Sequence, residues 1–92
     1  MGAWRLVFTR QYNRRAVRFI KRHPDATGQY AKALQLLEVN PYHPSLRLHA
    51  LKGNLAGLHS VSINLNYRIT LEFLLADNDI VLINVSDHDE VY

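Results

Sequence analysis

From Ser60 to Phe73 the apolar residues fall at every second position, and this alternation constrains the fold more than any other feature of the chain. Val61, Ile63 and Leu65 point one way while Ser60, Ser62 and Asn64 point the other. After a turn near Leu65-Asn66, Tyr67, Ile69, Leu71 and Phe73 alternate with Arg68, Thr70 and Glu72. Side chains of a strand alternate between its two faces, so such segments need a sheet with one covered and one polar face. Ala76-Asp77-Asn78-Asp79 is a good hairpin turn, and Ile80 to Val85 reads as a central strand. Leu46 to Leu51 supplies a further strand, with Leu46, Leu48 and Ala50 on one side and Arg47 and His49 on the other. The sequence therefore predicts four strands in its second half.

What covers the apolar face lies upstream. Ala3 to Phe8 reads as a short strand, and Thr9 stands where a helix N-cap is needed. Tyr12, Ala16, Phe19 and Ile20 follow the spacing of one buried helical stripe, with Arg10, Arg14, Arg18 and Lys21 on another side. His23-Pro24 ends that helix, because a residue before proline is pushed out of the α region. A second helix begins near Asp25 or Thr27 and runs to about Val39, with Tyr30, Ala33, Leu34 and Leu37 as its apolar stripe, before Pro41-Tyr42-His43-Pro44 stops it. The expected fold is α+β: an N-terminal strand, an antiparallel helical hairpin and a four-stranded antiparallel meander. With 92 residues, one domain spanning 1–92 and one small core are expected.

Composition narrows the function classes. There is no cysteine, so thiolate metal sites and disulfides are excluded. Met1-Gly2-Ala3-Trp4-Arg5 lacks a signal-peptide pattern, and runs such as Phe73-Leu74-Leu75-Ala76 are too short to span a bilayer. A cytoplasmic protein without membrane contact is expected. The net charge is +3, but it is unevenly placed. Seven of eleven Lys/Arg lie within the first 22 residues, and six of eight acids lie from Glu72 onward. The histidines His23, His43 and His59 have no partners at metal-ligand spacing, so no metal and no cofactor are expected.

Three short motifs occur in order: Leu51-Lys52-Gly53-Asn54-Leu55-Ala56-Gly57, then Asn66-Tyr67-Arg68-Ile69, then Asp87-His88-Asp89-Glu90-Val91-Tyr92. Together with the opening Trp4 to Phe8 strand, the basic helix and Asn40-Pro41, they resemble the RelE/ParE toxin superfamily over essentially the whole chain. The resemblance is closest to its YafQ- and HigB-like ribonuclease branches. It implies a toxin of a type II toxin–antitoxin system that cuts messenger RNA on the ribosome without a metal. In that reaction the 2′-hydroxyl attacks the adjacent phosphate, which requires a base, an acid and positive charge at the phosphorane.

The resemblance assigns roles by position. Arg68 is the phosphate-stabilising residue; its guanidinium keeps its charge and can bind two oxygens. The bland alternative is a surface arginine paired with Glu72. His88 and His49 match histidines of YafQ-like members and are the acid/base pair, since imidazole titrates near neutrality. Either is otherwise an ordinary surface histidine. Tyr92 matches a terminal aromatic near the scissile bond, to donate a proton or stack on a base. Arg47, Lys52, Asn66, Tyr67 and Asn84 are candidate RNA contacts, although the alternation of Tyr67 favours the core. Arg10, Arg14, Arg18 and Lys21 are candidates for docking to ribosomal RNA, or a plain solvated face. A cognate antitoxin is the implied protein partner. Two positions depart from the pattern: Ser62 stands where YafQ-like members carry a histidine, and Asn84 where some carry an arginine. Two other functions stay open, a ParE-like toxin that binds DNA gyrase without cutting RNA and a member that keeps only a binding role.

Overall fold

A computed structural model describes residues 3–87 of the chain. The elements are β1 (Arg5–Val7), α1 (Arg10–Arg22), α2 (Thr27–Val39), β2 (His49–Ala50), β3 (His59–Ser62), β4 (Tyr67–Leu74) and β5 (Asp79–Asp87). The strands form one sheet in the order β1-β5-β4-β3-β2. Strands β2 to β5 pair antiparallel in sequence order, which is the expected meander. β1 adds to β5 in parallel, so the sheet is mixed and β5 lies inside it.

Local chemistry sets the helices where the sequence places them. The Thr9 side chain accepts a hydrogen bond from the Tyr12 backbone N–H at 3.0 Å and caps α1. His23 closes the helix, its N–H bonding to the Phe19 carbonyl. Tyr12, Ala16 and Phe19 on α1 and Tyr30, Ala33 and Leu37 on α2 are buried with Val61, Ile69, Leu71, Ile80, Leu82 and Val85 of the sheet. The Tyr12 and Tyr30 hydroxyls meet at 2.6 Å inside that layer and join the two helices. Trp4 packs edge-on against Phe73 at 5.4 Å between ring centroids, holding β1 to the far end of β4.

β1 is pinned by charge as well. Arg5 and Asp79 are register partners, and Nε and Nη2 donate to the two carboxylate oxygens at 2.9 and 2.8 Å. These bonds hold the Asp79 carboxyl below its usual range. The favourable interaction is therefore present above the unfolded carboxylate pKa near 4 and is lost as acid protonates the group. Asp79→Asn is expected to speed amide exchange of β1 at neutral pH while leaving β3 and β4 protected. Uniform acceleration across the sheet would refute a local role.

Three local departures from the sequence reading bear on the site. The strand expected over Leu46 to Leu51 is reduced to His49–Ala50. Pro44 starts a 3-10 turn, Pro44–Leu46, whose first N–H, that of Ser45, donates to the His43 ring at Nδ1 at 3.2 Å. Leu46 is buried from that turn, and Arg47 takes a left-handed conformation at φ 50, so the alternation expected before His49 does not form. Leu65 is 78% exposed instead of continuing β3. There the Asn64 side chain accepts from the Asn66 and Tyr67 N–H groups at 2.8 and 3.0 Å and turns the chain. Lastly, the β4–β5 register slips between Thr70 and Leu71, which face Asn84 and Leu82. Ile83 is the extra residue of this bulge, and Arg15 Nη1 donates to its carbonyl at 2.9 Å.

Candidate functional site

Register decides which polar side chains share the uncovered face. Residues directly opposite on antiparallel strands project to the same side. His49 lies opposite Ser60 and Ser60 opposite Thr70, while Ser62 lies opposite Arg68 and Arg68 opposite Ser86. A cleft forms on this side, lined by Arg47, His49, Ser60, Ser62 and Arg68, with Gln29 and Ser45 at its helical wall. Arg68 is half-buried and His49 is exposed, so a fixed cation sits beside a reachable imidazole.

The His49 ring is oriented from below. Its Nδ1 lies 3.1 Å from the Arg47 carbonyl. A carbonyl only accepts, so Nδ1 carries the proton and Nε2 of the neutral ring keeps the lone pair. The left-handed conformation of Arg47 aims that carbonyl and also brings the Arg47 side chain to the cleft rim. The cleft thus contains a proton acceptor and two guanidinium groups around a space open to solvent.

Other sequence candidates fall elsewhere. Lys52 is exposed ahead of the Gly53–Leu55 turn, and Asn66 is exposed at the β3–β4 turn; neither lines the cleft. Tyr67 borders the cleft, but its ring belongs to the helix-covered side. It packs on Phe19 at 5.1 Å and on His23 at 4.5 Å, and its hydroxyl lies 3.0 Å from His23 Nδ1. The alternation, rather than the motif position, describes Tyr67. Asn84 also lies away from the cleft: it lines a groove beside α1, and its Oδ1 accepts from the Val85 N–H at 2.9 Å. Arg10, Arg14, Arg18 and Lys21 are all exposed and flank a shallow groove with Asn13 and Val17 on the outer side of α1. His88 and Tyr92 lie outside the described residues. Among the described residues, no three His, Asp or Glu side chains gather as a metal-binding group, and no helix is long and apolar enough to cross a membrane.

Three participants were not visible in the sequence reading. Ser60 is 1% exposed at the base of the cleft, and its Oγ has no hydrogen-bond partner among the described residues. His23, read only as a helix terminator, bridges Tyr67 to Asp87, with Nε2 3.5 Å from the carboxylate. Arg15 stands apart from the exposed basic stripe of α1 and holds the β5 bulge. Only Arg15 left a trace, as the one basic residue between Arg10 and Lys21 that is out of step with the stripe.

A five-stranded mixed sheet of this order, with two helices on one face and a polar cleft on the other, is the fold of the RelE/ParE toxins. The comparisons with solved structures agree. YafQ from Escherichia coli strain BL21(DE3) superposes with a TM-score of 0.73 at 11% identity, over 92% of this chain and 93% of that one. A YoeB/ParE toxin from Agrobacterium tumefaciens gives 0.72 at 19%, over 91% and 98%. The E. coli DinJ–YafQ toxin–antitoxin complex gives 0.71 at 15%, over 92% of each chain. At these identities the likeness is one of fold. No protein-family model matches the chain, and no curated protein matches its sequence.

Proposed function

We propose that this chain is the toxin of a type II toxin–antitoxin pair and a metal-independent endoribonuclease that cuts messenger RNA on the ribosome. The observation that carries this reading is the cleft in which Arg68, His49 and Arg47 converge on the uncovered side of the sheet. His49 Nε2 takes the proton of the RNA 2′-hydroxyl. The freed oxygen bonds to the adjacent phosphorus, the bond to the 5′-oxygen breaks, and that oxygen takes a proton and leaves as a hydroxyl. A 2′,3′-cyclic phosphate remains on the upstream fragment. Arg68 neutralises charge on the phosphorane oxygens, where two N–H donors are worth more than a point charge.

In the sequence His88 directly follows Asp87, the last residue of β5, the strand whose Ser86 pairs with Arg68. In this reading His88 is the general acid and Tyr92 stacks on a base beside the scissile bond. Arg47 holds the backbone, with Lys52 and Asn66 further out along the RNA. Arg10, Arg14, Arg18 and Lys21 dock the protein to ribosomal RNA through salt-sensitive phosphate contacts. The protein works in the cytoplasm, and a cognate antitoxin, as in the DinJ–YafQ complex, silences it.

The test is purified protein incubated with messenger RNA, with and without translating ribosomes, followed by mapping of new 5′ ends. New 5′-hydroxyl ends that appear only with ribosomes support the reading. Tight binding to purified gyrase without RNA cleavage would replace it with the ParE-like alternative.

A further inference from the structure

The cleft is not the only cationic recess on the molecule. β1 pairs only with Asp79, Ile80 and Val81, so the rest of β5 is an edge. Alongside that edge runs a groove walled by Arg15, Arg18 and Arg22 of α1, by its C-cap His23 and by Asn84 and Ser86 of β5, with Phe19 and Val85 also in its lining. We propose that this groove is a second phosphate subsite, which takes the RNA backbone as it leaves the cleft. The inference deepens the nuclease reading and rests on it.

An open strand edge ordinarily invites another strand, because its backbone groups lack partners. Here two of those groups are already served. The Ile83 carbonyl accepts from Arg15 Nη1, and the Val85 N–H donates to the Asn84 side chain, each at 2.9 Å. A peptide adding to this edge would have to break both bonds. What the groove offers instead is side-chain charge. Arg18 and Arg22 are exposed, and the one carboxylate in the lining, Asp87, faces His23 Nε2 at 3.5 Å.

Ser86 supplies an independent sign of a missing ligand. It lines the groove and is only 5% exposed, yet its Oγ has no hydrogen-bond partner among the described residues. A buried hydroxyl left unbonded is costly, and an anionic oxygen would satisfy it. Ser86 is also the register partner of Arg68. One strand spacing, about 5 Å, therefore separates the subsite from the phosphate grip of the cleft. A chain of phosphates held by Arg68 would pass Ser86 into the groove that Arg22 lines.

The test uses uncleavable 2′-O-methyl RNA, as a dinucleotide and as an octanucleotide, with binding followed by fluorescence anisotropy. Arg22→Ala is expected to weaken the octanucleotide about tenfold at low salt and to reduce the slope of log affinity against log salt by about 0.7, the loss of one single-strand phosphate contact. Dinucleotide binding should not change. Ser86→Ala should weaken the octanucleotide without lowering the thermal transition. An Arg22→Ala protein that binds both RNAs like the parent, or loses both equally, overturns the subsite. So does loss of an acidic peptide, such as oligoglutamate, with RNA binding intact. If the parent binds neither RNA, the subsite fails, while the nuclease reading is decided separately by the mapping of 5′ ends with ribosomes. Parent binding with no effect of Arg22→Ala sinks the subsite alone.

Discussion

Arg68→Ala should abolish ribosome-dependent cleavage, with a rate loss of about 10²–10³, and with it the growth arrest on induction. That magnitude is typical of removing one donor aimed at transition-state charge. The side chain lies on the uncovered face, with Ile69 and Leu71 of the same strand carrying the core contacts. The thermal transition should therefore move by only a few degrees, since about 1 kcal/mol corresponds to roughly 4–8 °C in a domain of this size. Arg68→Lys separates geometry from charge. A lysine keeps the charge but not the two-pronged donor, so partial activity is expected. Full activity in either variant would remove Arg68 from the site. A transition lowered by tens of degrees in Arg68→Ala, with Arg68→Lys fully active, would make the residue a structural one.

How much of this was legible in the sequence depends on how local each signal is. The Thr9 cap, the His23-Pro24 stop and the alternation from Tyr67 to Phe73 are written within a few residues of their effect, and each has its counterpart in the structure. The failures are positions where a tertiary or turn contact overrides the pattern. Leu46 matched a strand face, but Pro44 and the His43 ring made a turn of it, and the left-handed Arg47 redirects the chain before His49. Leu65 matched the β3 face, but the strand ends at Ser62 and the Asn64 side chain turns the chain there. The parallel docking of β1 depends on Arg5 finding Asp79, a pairing across the length of the chain that no periodicity announces. For the cleft, the sequence named Arg47, His49 and Arg68 but not the serine beneath them. Serine on a polar face looks ordinary until the register shows Ser60 flanked by His49 and Thr70.

The largest expected effect on stability lies where the helices meet. Tyr12 is fully buried, its ring packs near Phe8, and its hydroxyl meets that of Tyr30 at 2.6 Å. Tyr12→Ala removes an aromatic side chain from the core, a change that costs about 3–5 kcal/mol. Small domains have about 5–15 kcal/mol in total. The variant should therefore melt tens of degrees lower, or fail to accumulate as folded protein. Tyr12→Phe tests the hydroxyl alone: the ring stays, but the Tyr30 hydroxyl loses its partner, a loss of about 1–3 kcal/mol. The same pair predicts alkaline sensitivity. Burial first, and then the hydrogen bond to Tyr30, push the Tyr12 phenol well above its usual range, and burial raises Tyr30 as well. The native state therefore keeps both phenols protonated at pH values where the unfolded chain ionises them. Their contribution is complete below the unfolded tyrosine pKa of about 10 and is lost as the pH rises above it. Thermal transitions of the parent should be flat from pH 8 toward 10 and then fall. In Tyr12→Phe, which starts lower, the alkaline fall should be shallower, because one buried phenol no longer titrates. An equally steep fall in that variant would mean that Tyr12 ionises as freely in the folded protein as in the unfolded chain, which a closed helix–helix layer does not allow.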